Sequence, residues 1–128
     1  MYCIRLRDID GAVSLSRSVL HVTEFLGLYQ AELARVLGVR CQDVGRLGCG
    51  EWVLQQGTHP WAQAELLVRL FEALFELQQG EESAMHRWLR VDQQPLGAVP
   101  LLLMVDDGQI ERVVRDLEAR LEAEAAKS

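Results

Sequence analysis

Residues 61–79 carry apolar side chains on two sides of a single helical repeat, and that constrains the fold more than any other stretch of the chain. Trp61, Ala64, Leu67, Val68, Phe71, Leu74 and Phe75 share one wide face, while Leu66, Leu70 and Leu77 add a second. A helix apolar on two sides is buried between neighbours rather than laid on a surface. Thr58, His59 and Pro60 break the chain before it and Gly80 ends it, so the segment reads as a central helix with other elements packed around it. An aromatic stripe at this spacing is core, not a cofactor site. The covering elements must be helical too, because Leu, Ala, Glu, Gln and Arg dominate the composition while Thr, Ile, Phe and Tyr are scarce. The expected fold is mostly α. With 128 residues, 49% hydrophobic and 25% charged, the chain suits one folded domain or two small ones sharing a core.

The segments before the central helix are shorter. Tyr2, Ile4 and Leu6 alternate with Cys3, Arg5 and Arg7, a weak strand pattern over residues 2–9 closed by the Asp10-Gly11 turn pair. Leu15, Val19, Val22 and Leu26 then recur at helical spacing, with Ser14 or Ser16 as a cap and Gly27 at the end. In residues 28–54, Gln30, Leu33, Ala34 and Leu37 form a short helix. Gly38 permits a sharp reversal and Val39 and Val44 point inward from the turn and a second helix near residues 41–47.

Beyond Gly80, residues 84–121 pack several signals closely together. Met85, Trp88 and Leu89 form the inward face of a short helix, with Trp88 read as core. Pro95-Leu96-Gly97 makes a turn, and Pro100 opens a short apolar helix through Met104, where its missing N–H costs nothing. Asp106-Asp107-Gly108 punctuates the chain again. A last helix from Gln109 to about Ala125 buries Ile110, Val113, Val114, Leu117 and Leu121. Its outer face offers the i,i+4 pairs Glu111–Arg115, Arg112–Asp116, Asp116–Arg120 and Arg120–Glu124.

Chemistry is sparse. Cys3, Cys41 and Cys49 contain no C-x-x-C pair, and His21, His59 and His86 stand apart, so neither a zinc framework nor a disulfide scaffold fits. There is no nucleophile-and-base pair and no glycine-rich phosphate loop. We therefore expect neither an enzyme nor a bound metal or cofactor. The longest apolar run, residues 98–105, is too short for a bilayer, and the N-terminus carries acids where a secretory signal would have its apolar core, so no membrane association and a cytoplasmic location are expected. The net charge of −6 divides into +1 over residues 1–50, −3 over 51–90 and −4 over 91–128. Nucleic-acid contact belongs to the first part, and the remainder suits a basic protein partner.

Residues 28–54 resemble the helix-turn-helix of the Xre family through Gln30, Leu33, Ala34, Leu37, Gly38, Val39, Val44 and Gly50. The resemblance implies a DNA-reading surface of Gln30, Arg40, Gln42 and Arg46, since Arg and Gln pair with guanine and adenine edges in the major groove. Here Arg40 replaces the usual Ser or Thr cap, Asp43 would be repelled by phosphates, and Gly45 lies inside the recognition helix. An interior glycine weakens a helix by about 1 kcal/mol relative to Ala. DNA recognition and a purely scaffolding role are both open.

Residues 81–128 resemble the toxin-binding domain of the Xre/MbcA/ParS antitoxins. The matching positions are Trp88, Leu89, Leu96, Gly97, Pro100, Leu101, Gly108, Val113 and Leu117, with Leu70, Phe75 and Ala84 at the linking helix and lead-in. With the helix-turn-helix, the likeness covers about residues 13–121. It implies an antitoxin, often dimeric, that occludes a RES-domain toxin degrading NAD+ and binds operator DNA at its own promoter. Arg112 and Arg115 on the outer face join the module positions as toxin-contact candidates. The implied organisation is a helix-turn-helix region over 1–60, a linking helix over 61–80 and a toxin-binding-type module over 81–128. The alternative is an Xre-type DNA-binding regulator with no toxin, whose second part serves dimerisation.

Overall fold

The computed structural model describes residues 11–94 and 96–127, with side chains from Ser14 onward. The strand pattern over residues 2–9, the Asp10 half of its closing turn, and Pro95 lie outside the described residues. The rest is all α. The seven helices among the described residues are α1 Gly11–Leu26, α2 Gln30–Leu37, α3 Cys41–Cys49, α4 His59–Leu77, α5 Glu82–Arg90, α6 Pro100–Val105 and α7 Ile110–Lys127.

Helix α4 is the centre, as its two apolar faces require. Ala64, Leu67, Val68, Leu70, Phe71, Ala73 and Leu74 are buried, and Trp61, Leu66 and Leu77 are half-buried against the same core. Thr58 caps its start by accepting from the Trp61 N–H at 3.4 Å, and Pro60 occupies the first turn, where no N–H is needed. Its most extensive partner is α7, followed by α1. Arg69 of α4 donates two hydrogen bonds to Glu118 of α7, at 2.8 and 3.3 Å, which raises the arginine pKa above its ordinary value.

α1 runs in the same direction as α4. Near its start Ser16 accepts from the N–H of Leu54 at 3.0 Å, just ahead of α4, and near its end Phe25 meets Phe71 edge-on with ring centres 5.3 Å apart. Leu15, Val19, Val22 and Leu26 form its buried stripe. Gly27 then turns left-handed at φ 71°, and the ring of His86 lies where a Cβ would come within 3.1 Å. Helix α5 closes this end. His86 Nε2 donates to the Phe25 carbonyl at 2.7 Å, and Arg90 donates to the carbonyls of Leu26 and Gly27 at 3.2 and 3.1 Å. These groups satisfy carbonyls that α1 itself leaves unpaired, and Arg90 sets positive charge at the negative end of the helix dipole.

Helix α6 bridges α2 and α7. Arg35 of α2 donates to the Val105 carbonyl at 3.3 Å and lies 3.6 Å from the Asp106 carboxylate. Buried side chains from all seven helices belong to one continuous core.

Phe75 departs from the expected core stripe, being 42% exposed. α1 ends at Leu26, so the last turn of α4 outruns its neighbour. The Phe75 ring leans instead on Phe25, on Phe71 and over Gly80. None of the described helices is long and apolar enough to cross a membrane.

Candidate functional site

Two surfaces hold the residues singled out from the sequence. The first is the α2–α3 pair. Leu33, Ala34, Val36 and Leu37 of α2 and Val44 and Leu47 of α3 are buried, and Gly38 makes the reversal at φ 75°. A Cβ on Gly38 would also stand 3.1 Å from the His59 ring, so both backbone conformation and space call for glycine there. Gln63 of α4 fastens the pair from behind, donating to the Val36 carbonyl at 3.0 Å.

Both helices start without a hydroxyl cap. An acid three residues on reaches back instead. Glu32 accepts from the Tyr29 N–H at 2.8 Å, and Asp43 accepts from the Arg40 N–H at 3.3 Å, each supplying one half of a capping box. Helix α3 runs through Gly45 and Gly48 to Cys49, two residues beyond the expected stretch, and ends at Gly50 with φ 79°.

Gln42, Gly45, Arg46 and Cys49 share the outward stripe of α3 at helical spacing, with Arg40 exposed just before it. The stripe is thin and partly neutralised. Asp43 lies 3.6 Å from Arg40 and 3.6 Å from Arg46, so the three side chains carry a net charge of about +1. Gln30 faces α3 rather than open solvent alone: its amide donates to the Cys41 carbonyl at 2.9 Å and lies beside Gly45. Among the four DNA-contact candidates, Gln42 and Arg46 project from the helix face, Arg40 flanks it, and Gln30 helps hold it in place.

The second surface is the module around Trp88. The indole is 6% exposed, and its Nε1 has no hydrogen-bond partner among the described residues. Arg120 of α7 covers it, with the guanidinium carbon 5.8 Å from the ring centre. Arg120 also pairs with Asp116 at 2.8 Å and donates to the Gln94 carbonyl. Arg112 donates to the Leu96 carbonyl at 3.0 Å. These two arginines grip the turn before α6 from two points along α7. Gln93 locks it from the other side, donating its amide to the Trp88 carbonyl at 3.1 Å and bridging to Ala98.

The module positions therefore divide. Trp88, Leu89, Leu96, Pro100 and Leu101 are buried. Gly97 and Gly108 hold left-handed φ of 68° and 64°, with open space where a Cβ would stand. Gly108, Arg112 and Arg115 come together with Gln109 and Glu111 along an open groove of roughly 530 Å³ at the start of α7. Arg115 pairs there with Glu111, and Asp116 pairs with Arg120, as the spacing predicted. Arg112 instead serves the Leu96 carbonyl and Gln109.

His59, His86, Arg90, Gln93 and Arg120 organise these surfaces without having been singled out for it. Most of their partners lie on other elements, and only Arg120, through its helical spacing from Asp116 and Glu124, was pointed to by the sequence. Among the described residues, no three His, Cys, Asp or Glu side chains gather in a way that could hold a metal ion. Comparison of the chain with protein-family models and with curated proteins finds no match.

Proposed function

We propose that this chain is the antitoxin of a toxin–antitoxin pair, binding and occluding a RES-domain toxin that degrades NAD+. The observation that carries the reading is an ordered pairing in one chain: an Xre-like α2–Gly38–α3 unit followed, across the central helix, by the Trp88-Leu89, Leu96-Gly97, Pro100-Leu101 and Gly108 series. In this reading the buried members of that series build the module. The toxin meets what remains accessible, chiefly Arg112, Arg115 and the polar groove at the start of α7. A mixed-charge rim around an apolar centre is an ordinary composition for a protein interface.

The same chain acts as a homodimer on operator DNA at its own promoter, with α3 in the major groove. A regulator without a toxin is the second reading, favoured by the outward stripe of Gln42 and Arg46. Co-expression separates the two. The antitoxin reading expects that a RES-type gene beside this one is toxic alone, depletes NAD+, and is neutralised by this chain in a complex that co-purifies. Persistent toxicity, with promoter binding intact, would leave the regulator.

A further inference from the structure

Building on DNA reading by α3, we propose that Asp43 is a specificity-determining residue of that surface. It holds Arg40 and Arg46 back from DNA phosphates and steadies Arg46 for the edge of a guanine.

The acid is the anchored member of the trio. Its side chain is 19% exposed, against 72% for Arg40 and 51% for Arg46. Asp43 Oδ2 accepts from the Arg40 N–H at 3.3 Å and lies 3.6 Å from Arg40 Nε, while Oδ1 lies 3.6 Å from Arg46 Nη1. Each oxygen thus attends to one arginine, and the hydrogen bond at the start of α3 keeps the carboxylate from swinging away. An exposed arginine–carboxylate pair adds little to stability. What it changes here is where the two cations can go.

Position along the helix gives the pairing its consequence. A recognition helix presents its N-terminal residues to base edges. Arg46 stands nearly a turn further in, and Asp43 draws its guanidinium back toward that first turn, where Gln42 is exposed. A guanidinium is a planar fork of N–H donors, so a nitrogen turned to Oδ1 leaves an edge free for the O6 and N7 of guanine. The same carboxylate repels phosphates, which weakens the contacts that carry no sequence information. Affinity for every duplex falls, and the difference between duplexes grows.

Band shifts at about 0.1 M salt test this, on a fragment of the chain's own promoter and on a scrambled duplex of the same composition. Asp43→Asn should tighten the scrambled duplex by about eightfold per bound protomer, the effect of one further counterion released at that salt. The promoter should gain less, so the ratio of the two affinities falls. Glu51→Gln removes the same charge just past α3 and leaves the clamp in place, so its ratio should match the parent's. Replacing the promoter guanines by 7-deazaguanine removes N7, and should weaken the parent more than it weakens Asp43→Asn or Arg46→Ala. An unchanged ratio in Asp43→Asn, a fall equalled by Glu51→Gln, or an equal 7-deazaguanine loss in parent and Asp43→Asn overturns the proposal and leaves DNA reading standing. A parent chain that binds both duplexes equally, or neither, overturns DNA reading and the proposal together.

Discussion

Arg120 lies over the indole of Trp88 at 5.8 Å while its Nε holds Asp116 at 2.8 Å, so one side chain covers the buried tryptophan and is itself fixed by its own helix. Being oriented by Asp116, the guanidinium loses less freedom when it also meets the indole and the Gln94 carbonyl. Trp88 in turn is a core residue whose polar edge finds no acceptor among the described residues.

Trp88→Ala should therefore destabilise the fold by about 3–5 kcal/mol, the cost of emptying a large aromatic site. Trp88→Phe should cost clearly less, because it keeps most of the ring and removes the unpaired N–H. Arg120→Ala should cost about 1 kcal/mol through the lost cation–π contact. Urea denaturation midpoints check the order, and a Trp88→Phe loss as large as that of Trp88→Ala would contradict it.

Two glycine substitutions should move stability in opposite directions. Gly97→Ala keeps open space but forces a left-handed residue at φ 68°, a cost of roughly 1–2 kcal/mol. Gly48→Ala lies inside α3, with nothing within 4 Å of the new methyl group, and should stabilise by about 1 kcal/mol. Thermal melts of the two variants beside the parent chain decide it.

Ser16→Ala should cost about 1–3 kcal/mol, because it strands the buried Leu54 N–H that the hydroxyl accepts at 3.0 Å. Hydrogen exchange at Leu54 should speed up with it. Unchanged exchange at that amide would show that the N–H finds another acceptor.

On DNA, Arg40→Ala combined with Arg46→Ala should abolish promoter binding and leave toxin neutralisation intact. Asp43→Asn should do the reverse to binding, since it releases both arginines from a carboxylate 3.6 Å away while keeping an oxygen for the Arg40 N–H. Removing one negative charge should steepen the salt dependence by about one counterion. Band shifts of a promoter fragment across a salt series test both, and a parent chain with no salt-sensitive binding would defeat the premise.

How far the sequence reaches can be seen in individual residues. The stripe of Leu15, Val19, Val22 and Leu26 and the turns at Gly27, Gly38 and Gly80 were legible, because apolar spacing is a local property and glycine is the residue that admits a positive φ at a helix end. Arg115 and Arg120 also found the i−4 acids that helix geometry offers them. Arg112 had the same kind of choice and took the Leu96 carbonyl, which the docked turn brings within 3.0 Å.

The sequence by itself determined the number, type and punctuation of the main helices, together with the central place of α4. Only the tertiary structure decided where polar and aromatic groups found their partners. His86 and Arg90 close α1 from sixty or so positions away. Arg35 reaches Val105, and Phe75 escapes the core because α1 stops short of it. Periodicity is written within a few residues of each helix, whereas these contacts depend on where separate helices end and how they pack.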